Sequence, residues 1–193
     1  MEIRIYFEGK ATLRSGFESF FTELRTAARQ ARSSIQFVAA KDGISAYRKA
    51  NRTHAQAWNV LLKDSEQAMP ERSVELCARH GIDPQLAESV FWMVELMEAW
   101  FLADREALAG YYGTGFVQNA IGDPADVERI PKAEVRERLK RATRNTSKGE
   151  YDKIGHAPHL LERLDSARVQ SRATHCQQLF DVAKAKLSGG SVD

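Results

Sequence analysis

The chain has 193 residues, of which 43% are apolar and 28% charged, with a formal net charge of +2. That is enough apolar material for a real core, and it suits one domain or a compact domain with an appended helical part. The composition argues against a disordered or fibrous chain, and a charge so near balance does not by itself indicate nucleic acid or a membrane.

Ile3 to Phe7 is a short apolar run that reads as a strand and delivers Glu8-Gly9. Residues 15–32 then place Phe17, Phe20, Phe21, Leu24 and Ala28 at helical spacing, so one helix is expected there. Residues 34–39 form a second strand, Lys41-Asp42-Gly43 a turn, and residues 43–52 a helix. The unbroken apolar run 58–62 fits a buried parallel strand and delivers Asp64-Ser65-Glu66. Residues 70–80 read as a helix with Pro70 near its first turn and Gly81 as its stop. Residues 90–94 read as a fourth strand, followed by Glu95 and by Glu98 at the start of a helix from Met97.

Helical periodicity takes over after Asp104. Helices are expected over 105–112, 131–143, 151–164 and 174–187, with Val135, Leu139 and Ala142 as the inner face of the second. The division that follows is an α/β core over 1–104, a helical part over 105–187 packed on it, and a flexible tail over 188–193. Cys77 and Cys176 show no metal-binding spacing and no disulfide framework, so a reduced, cytoplasmic setting is expected. The N-terminus lacks a signal-peptide core, and no apolar run approaches the roughly 20 residues a membrane span needs.

Three acidic spots, each at the end of an apolar run, carry the chemistry of the first half. In a parallel sheet the carboxyl ends of strands share an edge, and ligands bind there. Carboxylates gathered at such an edge repel one another unless a divalent cation joins them, and hard oxygen donors suit Mg²⁺ or Mn²⁺. Glu8, Asp64, Glu66 and Glu98 are therefore the candidate metal ligands, with Glu8, Asp64 and Glu66 as the catalytic set. Acidic residues after strands also serve as helix caps or solvated loop charges, and each of these residues is open to that simpler role.

The excess positive charge is local. Residues 129–153 hold nine Lys or Arg against four Asp or Glu. Within them, Arg144, Lys148 and Lys153, followed by His156, are residue types that hold phosphate oxygens, and the helix that opens beside His156 favours an anion as well. A solvated loop with a capping role is the competing reading. His80, His159 and His175 have no motif around them, and Phe91, Trp92, Trp100, Phe101, Tyr111 and Tyr112 read as core.

Four stretches, in order, resemble a known family: Phe7-Glu8-Gly9; the block from Met93-Val94-Glu95 through Met97-Glu98-Ala99-Trp100-Phe101-Leu102-Ala103-Asp104; Ile130-Pro131-Lys132; and Ala142-Thr143-Arg144-Asn145-Thr146 through Lys148-Gly149, Tyr151, Lys153 and His156-Ala157. They resemble a bacterial domain-of-unknown-function family grouped with Toprim-like domains and often found beside ABC-type ATPases in anti-phage defence loci. The resemblance implies a Toprim-like α/β fold, with a mostly parallel four-stranded sheet flanked by helices and a C-terminal helical cluster. It also implies a Mg²⁺-dependent nuclease, with Glu8 as the acid after the first strand and Asp64 and Glu66 standing for the Asp-x-Asp of a later one. Glu66 departs from that pattern in length, and residues 10–14 lack the additional acid many Toprim nucleases carry. Nucleic acid and an ABC-type ATPase are the implied partners, and a homo-oligomer is left open. Lys63 or Lys10 would stabilise charge developing on the phosphate. Two other readings stand beside the nuclease: a non-catalytic Toprim-like subunit that regulates a partner ATPase, and nucleic-acid binding without cleavage. The chain shows no Gly-rich phosphate loop, so ATP hydrolysis falls to a partner.

Overall fold

Four short apolar runs become four parallel strands: β1 (Glu2–Glu8), β2 (Ser34–Ala40), β3 (Trp58–Asp64) and β4 (Val90–Met93), in the spatial order β2-β1-β3-β4. The computed structural model describes residues 1–70 and 73–189. The α/β class and the parallel four-stranded sheet flanked by helices are as expected from the sequence.

Both faces of the sheet are covered, which is why these strands lack a polar–apolar alternation. On one face Tyr6, Leu61, Val90 and Trp92 pack with Tyr47 and Ala50 of α3 (Gly43–Thr53) and with Leu76 and Cys77 of α4 (Ser73–Arg79). On the other, Ile5, Phe7, Phe37, Val60, Leu62 and Met93 join a larger core. That core is supplied by α1 (Leu13–Phe20), α2 (Thr22–Gln30), α5 (Ala99–Ala103), α6 (Arg105–Tyr112), α7 (Lys132–Thr143), α8 (Lys153–Leu161), α9 (Ser166–Gln170) and α10 (Thr174–Leu187). The helical second half thus shares one continuous core with the sheet.

The single helix expected over 15–32 is two. The chain turns at Phe21 (φ −91°, ψ 23°), and the Thr22 hydroxyl bonds back to Ser19 O at 2.6 Å. Beyond their shared neighbour Phe180, the adjacent rings have separate partners. Phe20 stacks on Trp100 at 5.0 Å, while Phe21 lies 5.2 Å from Phe180 and 5.4 Å from Phe37.

The strand-then-helix reading of 90–102 holds, although the helix begins only at Ala99. The expected helix over 151–164 is shorter, because Asp152 caps it by accepting from Gly155 N–H at 2.6 Å and Glu162 follows its last residue. Helix α9 and a 3₁₀ segment at Pro84–Ser89 were not foreseen. Residues 71–72 of the expected helix over 70–80, and 190–193 of the expected tail, lie outside the described residues. No helix among those described is long and apolar enough to cross a membrane.

The order of the strands locates the site. From β1 the chain moves to β2 on one side, then crosses back to β3 on the other, so its winding direction reverses between β1 and β3. The crevice outside the carboxyl ends of such a pair is where open α/β sheets receive ligands. Glu8 ends β1 and Asp64 ends β3.

Candidate metal and phosphate site

A pocket of about 300 Å³ opens at this reversal point. Glu8, Asp64 and Glu66 line it together with Lys10, Lys63 and Lys153, and Leu13, Phe17, Met97, Ile154 and Pro158 form an apolar wall. Three of the expected acids are thus brought to one cavity with Lys153 of the basic segment and with both Lys63 and Lys10. Gly9 makes the first corner. Its φ of 146° suits glycine, its N–H donates to Ala40 O at 3.0 Å, and a β-carbon there would stand 2.9 Å from Leu13 Cδ1.

Each acid meets a lysine from another element. Lys63 donates to Glu8 Oε2 from the adjacent strand. Lys132, the first residue of α7, reaches Glu66 Oε2 at 3.2 Å and Glu66 O at 2.6 Å. Lys153, at the start of α8, lies 3.7 Å from Asp64 Oδ2 and 3.3 Å from Glu98 Oε2. Burial alone would lower the Lys153 pKa, but the facing Glu98 and Asp64 more than offset it, and the net shift is upward.

Asp64 is the acid most changed by its surroundings. Burial pushes its pKa up to about 6, against the opposing pull of Lys153 and with a further rise from Glu98. Its Oδ1 accepts from Met97 N–H at 2.8 Å, so the strand end and the following helical segment hold it from both sides. Glu98 sits behind the pocket, only 3% exposed, with Oε1 accepting from Tyr151 Oη at 3.2 Å. Burial and the Glu98 charge raise the Tyr151 pKa strongly, so the phenol stays a donor.

The loops after β3 and β4 are stitched together. Ser65 Oγ accepts from Glu95 N–H at 2.7 Å, and Glu66 N–H donates to Glu95 O at 3.0 Å. Glu66 and Glu95 both hold left-handed backbone, at φ 61° and 54°. Glu95 does not line the pocket; its carboxylate accepts from Lys132 N–H at 2.6 Å, at the amino end of α7, where a helix favours negative charge.

The remaining expected cations lie elsewhere. Arg144 ends α7 and is exposed, and Lys148 sits 5.1 Å over the Tyr111 ring. His156 Nδ1 accepts from Asp152 N–H at 3.1 Å, which fixes it as an acceptor for Tyr112 Oη at 2.9 Å as well. Burial lowers the His156 pKa, consistent with a neutral ring. None of these three lines the pocket. Lys132, Ser65 and Tyr151 are contributors whose roles the sequence did not disclose, because each acts across 30 or more residues.

Among the described residues, no three Asp, Glu, His or Cys side chains form a ready metal-ligand cluster. The donor chemistry nevertheless fits a hard divalent cation. Glu8, Asp64 and Glu66 offer only oxygen, they line one cavity, and the positive charge beside them is supplied by lysine ammoniums.

The family model described as "Domain of unknown function (DUF4276)" matches residues 9–182. Among solved structures, the chain is similar to the C-terminal region of the Burkholderia pseudomallei OLD protein. The match has 12% identity and a TM-score of 0.48, and covers 95% of this chain and 98% of that one. No curated protein matches it.

Proposed function

The chain belongs to the DUF4276 family, and we propose that it is a divalent-cation-dependent nuclease hydrolysing phosphodiester bonds of DNA or RNA. One observation carries this reading: Glu8, Asp64 and Glu66, from the ends of β1 and β3, line one cavity with Lys10, Lys63 and Lys153 at the point where the sheet reverses direction. Acids to hold metal and ammoniums to receive phosphate oxygens are the two sets phosphoryl transfer needs.

Glu8, Asp64 and Glu66 would hold Mg²⁺ or Mn²⁺. When bound, the ion neutralises phosphate charge and makes a coordinated water more acidic. Lys153 and Lys63, which line the same cavity, would supply the positive charge that stabilises the phosphate as charge develops on it. Glu98, expected from the sequence as a further metal ligand, would instead keep Lys153 in place from the buried side. The apolar wall of Leu13, Met97 and Pro158 limits water around the reacting phosphate. Partnership with an ABC-type ATPase in an anti-phage system, and a cytoplasmic setting, complete the proposal; they rest on the motif resemblance.

The test is cleavage of end-labelled oligonucleotides with Mg²⁺ or Mn²⁺ by the wild type, Glu8→Gln and Asp64→Asn. Both substitutions should abolish cleavage while leaving the far-UV circular dichroism unchanged. Undiminished cleavage in either would remove the assignment.

A second reading is a non-catalytic subunit of a partner ATPase. The observation favouring it is that each pocket acid already has a lysine partner. It requires stable co-purification with the ATPase and no effect of Glu8→Gln or Asp64→Asn on the function of the complex.

A further inference from the structure

Outside the pocket, one aromatic ring gathers an unusual amount of positive charge. Tyr111, half-buried at the end of α6, has Lys148 Nζ 5.1 Å from its centroid and the Arg163 guanidinium 5.2 Å from it. His159 stacks on it at 6.1 Å and 25°, and His156 meets it edge-on at 5.9 Å. His156, His159 and Arg163 follow one another at spacings of three and four, so they share a face of α8 and the turn after it. Lys148 comes from the loop after α7. Four groups from residues 148–163 thus converge on one ring of α6.

The acids around this patch are few. Glu162 lies 3.6 Å from His159, and Asp152 is engaged in capping α8. Among the described residues, Lys148 and Arg163 have no carboxylate within salt-bridge distance, whereas Lys63 and Lys153 in the pocket do. Arg163 is further held by donating to His159 O at 2.8 Å. Two cations that are positioned by a ring, and are not neutralised, are arranged to receive anions.

The patch is connected to the pocket by α8 itself. Lys153 begins the helix at the pocket, and His159 and Arg163, on either side of its last residue Leu161, reach the patch. Eight residue steps at 1.5 Å give about 12 Å, the rise of roughly three to four stacked nucleotides at 3.4 Å each. We propose that Tyr111, Lys148, His159 and Arg163 form a phosphate-backbone site for a single nucleic-acid strand, which runs along α8 and places a phosphodiester in the pocket at Lys153. The proposal rests on the nuclease reading for its substrate class, but its own content is binding.

The experiment is fluorescence anisotropy of labelled single-stranded DNA and RNA oligonucleotides, with EDTA present so that binding is read without cleavage, over a series of salt concentrations. Lys148→Ala combined with Arg163→Ala should weaken binding roughly ten-fold and reduce the salt slope by about 1.4, two contacts at about 0.7 each. Lys148→Arg combined with Arg163→Lys should retain most of the affinity, and unlabelled duplex should compete poorly. Absence of oligonucleotide binding by the wild type, or an alanine double variant with wild-type affinity and slope, overturns the proposal. Glu8→Gln keeps the two readings apart: intact cleavage in that variant would sink the metal assignment and leave the binding result untouched.

Discussion

Lys153 Nζ lies 3.3 Å from Glu98 Oε2, joining the first residue of α8 to a carboxylate that is only 3% exposed at the residue preceding α5. The ammonium offsets a buried charge that, among the described residues, otherwise accepts a side-chain hydrogen bond only from Tyr151, and it does so at the inner wall of the pocket.

Lys153→Ala is expected to destabilise the protein. Removing one member of a buried pair costs about 3–5 kcal/mol, and the half-exposed lysine reduces this to about 1–3 kcal/mol. Lys153→Ala combined with Glu98→Gln should recover most of the loss, because no uncompensated charge remains. Urea midpoints of the two single variants and the double variant measure the coupling, and strict additivity would show that the contact contributes nothing.

Asp64 gives the metal-free protein a pH dependence. Its folded pKa of about 6 lies above the usual aspartate value of about 4. The native state therefore binds the proton more tightly than the unfolded chain. The associated stability is present below about pH 4 and is lost as pH rises through about 6, a change on the order of 2–3 kcal/mol. In EDTA, the stability difference between the wild type and Asp64→Asn should shift in favour of the asparagine variant between pH 4.5 and pH 7. Mg²⁺ should then raise the wild-type melting temperature at pH 7.5 and do little at pH 4.5, since a protonated Asp64 is a poor ligand. A Mg²⁺ shift independent of pH would exclude Asp64 from the ion.

Thr143 is fully buried and holds the loop that precedes α8. Its hydroxyl donates to Leu139 O at 2.8 Å and accepts from Tyr151 N–H at 2.7 Å. Thr143→Val keeps the shape and removes the acceptor, leaving that N–H unsatisfied at a cost of about 1–3 kcal/mol. Thr143→Ser should retain the bond. Hydrogen exchange at the Tyr151 amide should accelerate in the valine variant alone.

Two glycines in helices should respond oppositely to alanine. At Gly16 a β-carbon would stand 2.6 Å from Leu161 Cβ and 2.9 Å from Pro158 O, so Gly16→Ala forces α1 away from α8 and costs about 1–3 kcal/mol. At Gly110, exposed within α6, a β-carbon meets nothing within 4 Å, and Gly110→Ala should stabilise by about 0.5–1 kcal/mol. Thermal melts of the pair, with nuclease activity followed for Gly16→Ala, check both.

What the chain disclosed in advance follows from the range of the forces involved. The strands were legible because burial on both faces demands unbroken apolar runs such as Val60–Leu61–Leu62. Helices α6 and α10 were legible because amphipathic periodicity and end signals are local. The break at Phe21 was hidden, since Phe20 and Phe21 fit one helix until Trp100 and Phe180 decide where each ring goes. In the site, Glu8, Asp64 and Glu66 were visible as acids at strand ends. The pairing of each with its lysine was not, because Lys63, Lys132 and Lys153 reach them across 55, 66 and 89 residues. Glu95 looked like another strand-end acid, and only the position of α7 shows that it faces Lys132 N–H instead.

The contact at Gly16 fixes more than the distance between two helices. Helix α8 carries Lys153 at one end and approaches Tyr111 through His156 and His159 at the other, and it crosses α1 where no side chain separates them. The bare contact of Gly16 with Pro158 and Leu161 therefore seats the far end of the helix that brings Lys153 to the cavity, so the spacing between α1 and α8 sets where that charge stands.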